Sequence, residues 1–194
     1  MKRVAEVVSA TTIPGVIARP LLVHGDERGC FVETFRQEWF PGAPPMLQGN
    51  RSDSVAGVLR GLHFHRRQAD YWYVPRGVIL VALADLRLGS PTEGAVSVFR
   101  IGDGHPLGVY IPPGVAHGYL SLTDCTMTYL VDRTYDPTDE LGVTWDDPDL
   151  AIDWPLGAAH GLPERPILSG RDQKNPKVSE LDPAQLVRYV PQGS

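Results

Sequence analysis

Short runs rich in β-branched and aromatic residues follow one another along the chain, each closed by a turn signal. They predict strands over residues 16–23, 30–35, 47–52, 57–65, 71–74, 78–85, 95–101, 107–111, 118–122 and 126–134. Turns are predicted at Gly25-Asp-Glu-Arg-Gly29, Pro75-Arg-Gly77, Gly89-Ser-Pro-Thr-Glu-Gly94, Gly102-Asp-Gly104 and Pro112-Pro-Gly114. Ten short strands at this spacing predict an all-β sandwich, jelly roll or barrel. After Pro137 the texture changes: residues 138–176 are rich in Asp, Pro and Gly, with Trp145 and Trp154 among them. That stretch reads as ordered loops laid over the β-core. One short helix is predicted near the end, with Asp182 as N-cap and Pro183 at the first position, running to Tyr189. No repeat or linker interrupts the chain, so a single domain over residues 1–194 is expected.

Composition narrows this picture. The 194 residues suffice for one domain with a full core, and the 20 glycines and 18 prolines punctuate apolar runs rather than pooling. A net charge of -5 argues against bulk binding of nucleic acid, while a local arginine cluster would still suit a phosphorylated small molecule. The two cysteines, Cys30 and Cys125, lie in strand-like runs without a CxxC motif and read as buried fillers. The opening Met1-Lys-Arg-Val-Ala-Glu carries an acid before any apolar run of signal-peptide length, and no run is long enough to cross a membrane. A cytoplasmic protein is expected, in which the sequon Asn50-Arg-Ser52 has no role.

The chemistry concentrates in Gly57-Val-Leu-Arg-Gly-Leu-His63-Phe-His65-Arg-Arg-Gln-Ala-Asp70. Alternate residues of a strand face the same way, so His63 and His65 project together. Asp70 would reach that face if its strand pairs with theirs. His117, after Pro112-Pro-Gly114 and just before a predicted strand, points back toward the same interior. Such a group serves either as acid/base machinery or as ligands of a metal. His24, His105 and His160 are isolated and read as structural.

A set of ordered blocks then carries a resemblance. Gly57-Val-Leu-Arg-Gly-Leu-His63, Asp85-Leu-Arg87, Ser90-Pro-Thr-Glu-Gly94, Pro112-Pro-Gly-Val-Ala-His117-Gly-Tyr, Trp145-Asp-Asp-Pro148, Ile152-Asp-Trp-Pro155 and Leu168-Ser-Gly-Arg-Asp172-Gln resemble the dTDP-4-dehydrorhamnose 3,5-epimerase family over residues 14–176. The resemblance implies a cupin-type jelly roll, or double-stranded β-helix, that forms a homodimer. It implies action on a dTDP-linked 4-keto-6-deoxy sugar at C3, C5 or both, without a cofactor. By the same resemblance His63 is the base, Asp172 its carboxylate partner and Tyr129 the acid on the opposite face of the sugar. Arg28, Phe31, Glu33, Gln48, Asn50, Arg60, His117 and Arg171 match positions that hold the substrate.

The pattern breaks at two places. Where the family carries a lysine suited to an enolate oxygen, this chain has Asp70, and a carboxylate opposes negative charge there. Where glutamine is common, it has His65. The two changes make the segment resemble the first metal motif of cupins, with Asp for the usual Glu. No metal is expected of an epimerase of this family. The alternatives are a cupin enzyme with one divalent transition metal on His63, His65, Asp70 and His117, or a sugar-nucleotide binding module without turnover.

Overall fold

The computed structural model describes residues 11–191, so the opening segment read above lies outside the described residues. Its strands are β1 (Ile17–Pro20), β2 (Val23–Asp26), β3 (Gly29–Val32), β4 (Gln48–Ser54), β5 (Leu59–Phe64) and β6 (Asp70–Arg76). They continue as β7 (Val78–Asp85), β8 (Val96–Gly102), β9 (Leu107–Ile111), β10 (Val115–Ser121), β11 (Cys125–Val131) and β12 (Leu141–Gly142). Two five-stranded antiparallel sheets result, ordered β1-β9-β6-β11-β4 and β12-β5-β10-β7-β8, while β2 and β3 form a separate hairpin. The fold is all-β, a cupin-type sandwich.

Period-two alternation explains the layers. On β7, Ile79, Val81 and Leu83 join the core between the sheets, whereas Leu80, Ala82 and Ala84 face a second core. That second core is closed by Val143, Leu150, Trp154 and Leu162, from the stretch after Pro137. Buried on both faces, β7 is apolar nearly throughout. Each buried valine, leucine or isoleucine there contributes roughly 1.5–3 kcal/mol. On the outer face of the first sheet, Tyr71 and Tyr110 pack against Phe40.

Several expected boundaries move. The run over 16–23 breaks into β1 and β2, which pair with β9 and β3 respectively. Strand β6 runs through Pro75, placed above in a turn. The register against β11 shifts between Thr126–Arg76 and Thr128–Tyr73, so the proline sits where the ladder is already interrupted. Strand β10 begins at Val115, which puts His117 inside it. Cys125 is buried, as expected, but Cys30 is exposed on a hairpin that is hydrogen-bonded to neither sheet.

The helix expected from Asp182 shrinks to a single 3-10 turn, Pro183–Gln185. The cap forms, with Ala184 N–H donating to Asp182 Oδ1 at 2.9 Å. Beyond it the backbone extends, because Leu88 N–H donates to Val187 O at 2.8 Å and Tyr189 N–H to Leu88 O at 3.0 Å. A helix would forfeit both bonds.

The closing segment docks over a buried ion pair. Arg87 donates from Nε and Nη2 to Asp85 at 2.7 and 2.8 Å, and its guanidinium lies 5.1 Å from the Tyr189 ring. Ser90 and Thr92 hydroxyls complete the Asp85 shell at 2.6 and 2.7 Å. Burial works to raise the Asp85 carboxyl, but these donors outweigh it and hold it below the usual carboxylate range. The charged form therefore adds stability above the unfolded-state value, and that stability is lost as pH falls through the lowered folded one. Asp85→Ala, which strands the Arg87 charge, is expected to lower unfolding free energy by about 3–5 kcal/mol in urea titrations at pH 7. A loss under about 1 kcal/mol would show that the pair contributes little.

Candidate active site

At one end of the sandwich the inward positions turn polar and line a cavity of about 400 Å³, a size suited to a small-molecule ligand. From β4 come Gln48, Asn50 and Ser52, three alternate residues on one face; β6 adds Asp70 and Trp72, and β11 adds Met127 and Tyr129. The opposing sheet contributes Arg60 and His63 from β5 and His117 and Tyr119 from β10. Asp70 thus meets the histidines across the cavity. The expected pairing of its strand with β5 does not occur, since β5 and β6 belong to different sheets.

The β5–β10 ladder sets the histidines. His117 is opposite His63, and Tyr119 is opposite Arg60, so β5 holds one residue more than its partner between these pairs. Gly61 absorbs the extra residue at φ +114°, and a Cβ there would lie 2.7 Å from both Gly118 Cα and His117 O. Such a bulge turns Arg60 and His63, three apart, to the same side. Arg60 Nε then donates to Ser54 Oγ at 3.0 Å, and the Ser54 and Tyr119 hydroxyls pair at 3.1 Å.

Behind His63 stands Asp172. The segment before it pairs with the entry to β5, with Leu59 N–H donating to Ile167 O at 3.0 Å. The chain then forms a 3-10 turn, Asp172–Lys174. His63 Nε2 lies 2.6 Å from Asp172 Oδ1, and Ser169 Oγ donates to Oδ2 at 2.8 Å. The carboxylate is 4% exposed and the imidazole 23%. Burial works to raise Asp172, but the hydrogen bonds and charge of His63, then Ser169 and Arg171, hold it below its ordinary value. An ionised Asp172 accepts the Nε2 proton, which leaves Nδ1 as the basic nitrogen of a neutral ring. On the other wall, burial first and Asp70 second raise the Tyr129 phenol, so it stays protonated.

His65 and His117 are held differently. His65 Nδ1 donates to Asp139 O and His117 Nδ1 to Val115 O, each at 2.9 Å. His117 is buried, which favours its neutral form, and Trp72 meets its ring edge-on at 5.2 Å. Asp70 accepts from Gln68 Nε2 at 2.8 Å and Trp72 Nε1 at 3.2 Å. Among the described residues, His65, Asp70 and His117 form the group able to hold a metal ion. His63, included in the metal set considered above, turns its Nε2 to Asp172 instead.

Other expected contacts lie outside this cavity. Arg28 and Phe31 sit on the β2–β3 hairpin at 83% and 64% exposure, Arg28 paired with Asp26, and Glu33 pairs with Arg36. Arg171 is tied to Glu140 at the cavity rim. Sequence reasoning missed Glu140, Tyr135 and Asp136, which reach the rim from the loop after β11. It also missed Ser169 and Asp139, which fix Asp172 and His65. No periodic pattern marks such loop positions.

The two-sheet cupin sandwich places a histidine–aspartate pair and a tyrosine on opposite walls of the cavity, an arrangement suited to an acid/base isomerase. Residues 10–180 match the model of the dTDP-4-dehydrorhamnose 3,5-epimerase family, and the chain belongs to that family. A dTDP-4-dehydrorhamnose 3,5-epimerase of Methanothermobacter thermautotrophicus is 40% identical over 182 residues, covering 91% of this chain and 96% of that protein. A dTDP-4-dehydrorhamnose 3-epimerase of Streptomyces niveus is also 40% identical, over 187 residues and 87% of each chain. Among solved structures, a dTDP-6-deoxy-D-glucose-3,5-epimerase of Legionella pneumophila, in complex with dTDP-4-keto-L-rhamnose, superposes with a TM-score of 0.85. It is 33% identical and covers 93% of this chain and 97% of that one.

Proposed function

We propose that this epimerase acts on a dTDP-linked 4-keto-6-deoxy sugar, with His63 as base, Asp172 as its positioning partner and Tyr129 as acid. The observation that carries the reading is the 2.6 Å His63–Asp172 contact on one cavity wall, with Tyr129 on the other. A 4-ketone acidifies the protons on C3 and C5, so a neutral imidazole can remove one and leave an enolate. Asp172 stabilises the imidazolium that forms. A phenol on the far wall then returns a proton to the opposite face of the ring, which inverts that carbon. Gln48, Asn50, Arg60 and His117 line the same cavity and hold the sugar nucleotide. Equal identity, 40%, to a 3,5-epimerase and to a 3-epimerase leaves C3 and C5 both as candidate positions.

Asp70 takes the place of the family's lysine in this reading, and His65 that of its common glutamine. The working unit is a homodimer. The β2–β3 hairpin is hydrogen-bonded to neither sheet and exposes Val23 on one face and Phe31 on the other, apolar surface suited to a second copy. Arg28, Phe31 and Glu33 then serve the partner's cavity, while Arg171 acts from the rim of its own. Unpaired thiols at Cys30 and Cys125 fit a reducing, cytoplasmic setting, and no helix among the described residues is long and apolar enough to cross a membrane.

His63→Asn is expected to lower kcat by about 10²–10⁴-fold and to abolish solvent-deuterium incorporation at the epimerised carbon, read by NMR. Unchanged incorporation would remove His63 as base. Mixing and refolding His63→Asn with Arg28→Ala subunits is expected to restore about a quarter of wild-type activity, because each mixed dimer regains one intact site. Mixtures no more active than their components would place Arg28 outside the partner's site.

A further inference from the structure

We infer that His65, Asp70 and His117 bind one divalent transition-metal ion on the wall of the cavity. Their ligand atoms lie within 4.8 Å of one another, and His117 Nε2 is 3.8 Å from Asp70 Oδ2. Both imidazoles donate Nδ1–H to backbone carbonyls, at 2.9 Å each, so both present an Nε2 lone pair. This outer arrangement is what orients histidine ligands in metal sites.

The carboxylate adds a second argument. Asp70 is 4% exposed, and its hydrogen-bond donors, Gln68 and Trp72, are neutral. The nearby guanidiniums are engaged elsewhere, Arg67 with Asp136 and Arg66 and Arg67 with Asp139. Buried carboxylates are ordinarily paired with a cation or coordinated to one. Two imidazoles and one carboxylate suit Zn²⁺, Fe²⁺, Mn²⁺, Co²⁺ or Ni²⁺ rather than Mg²⁺ or Ca²⁺. Bonds of about 2.1 Å bring such ligands roughly 3.0–3.5 Å apart, so the triad closes by about 1 Å on loading. His65 lies just past the end of β5, outside the strand ladder.

Resting on the epimerase reading, the inference has one chemical consequence. A bound ion supplies positive charge to the cavity, of the sign an enolate oxygen needs and Asp70 alone does not offer.

Tag-free protein, stripped with a chelator and dialysed, is titrated with Co²⁺ and followed by visible absorption, metal analysis and thermal unfolding. The expected result is one equivalent per chain, new d–d bands, and a midpoint raised by about 5 °C at saturating metal. His65→Gln and Asp70→Asn, each checked for folding by circular dichroism, are expected to weaken binding at least tenfold. His24→Ala, on the exposed hairpin, is expected to bind like the parent. Absence of saturable binding, or equal binding by the His65 and Asp70 variants, overturns the site. If the stripped protein binds no metal yet still epimerises, the metal inference alone fails. If it binds metal at this triad but no dTDP-linked keto sugar exchanges protons, the epimerase reading fails and the site stands.

Discussion

The close approach of Gly61 to Gly118 is the constraint on which the site depends. No other residue fits at either position: a Cβ on Gly61 would meet Gly118 and the His117 carbonyl, and one on Gly118 would lie 2.7 Å from Arg60 O. The contact fixes the bulge in β5, and the bulge decides which side chains enter the cavity. Without it, Arg60 and His63 would face opposite sides, and one of the two would point into the second core. His63 stands beside His117 for the same reason.

Around that constraint the sandwich divides its labour. Apolar residues from both sheets hold one end closed, with Ile79, Val81 and Val109 among them. At the other end the same alternation delivers polar side chains, because Gln48, Asn50 and Ser52 occupy inward positions on β4. The walls are rigid strands, whereas the residues that tune them come from loops: Asp172 behind His63, and Asp139 behind His65. Burial then shapes the charges. Asp172 is held ionised by its donors, and Tyr129 is held neutral by desolvation and the nearby carboxylates.

Much of this was legible in the sequence, but unevenly. The apolar runs of β7 and β9 predict strands at their observed ends, because strands buried on both faces carry a strong signal. The all-β class and the shared facing of His63 and His65 follow from the same periodicity. The contact between His63 and Asp172 spans 109 residues and depends on loop conformation, so only the family resemblance pointed to it. Pairing also escaped prediction. Asp70 does lie beside His117, but across the cavity rather than through strand pairing, since sequence neighbours β5 and β6 lie in opposite sheets. The helix after Asp182 failed because a cap and a proline mark a start without fixing a length. Backbone bonds to Leu88 ended it after one turn.

The central claim is that proton removal and proton return occur from opposite walls, by His63 and Tyr129. The most direct measurement is the stereochemistry of exchange by Tyr129→Phe in deuterated water, read by NMR on the dTDP-linked keto sugar. The account predicts that deuterium still enters at the carbon His63 serves, with configuration retained, because the base can return what the phenol no longer can. Inverted, deuterated product formed at the wild-type rate would contradict it.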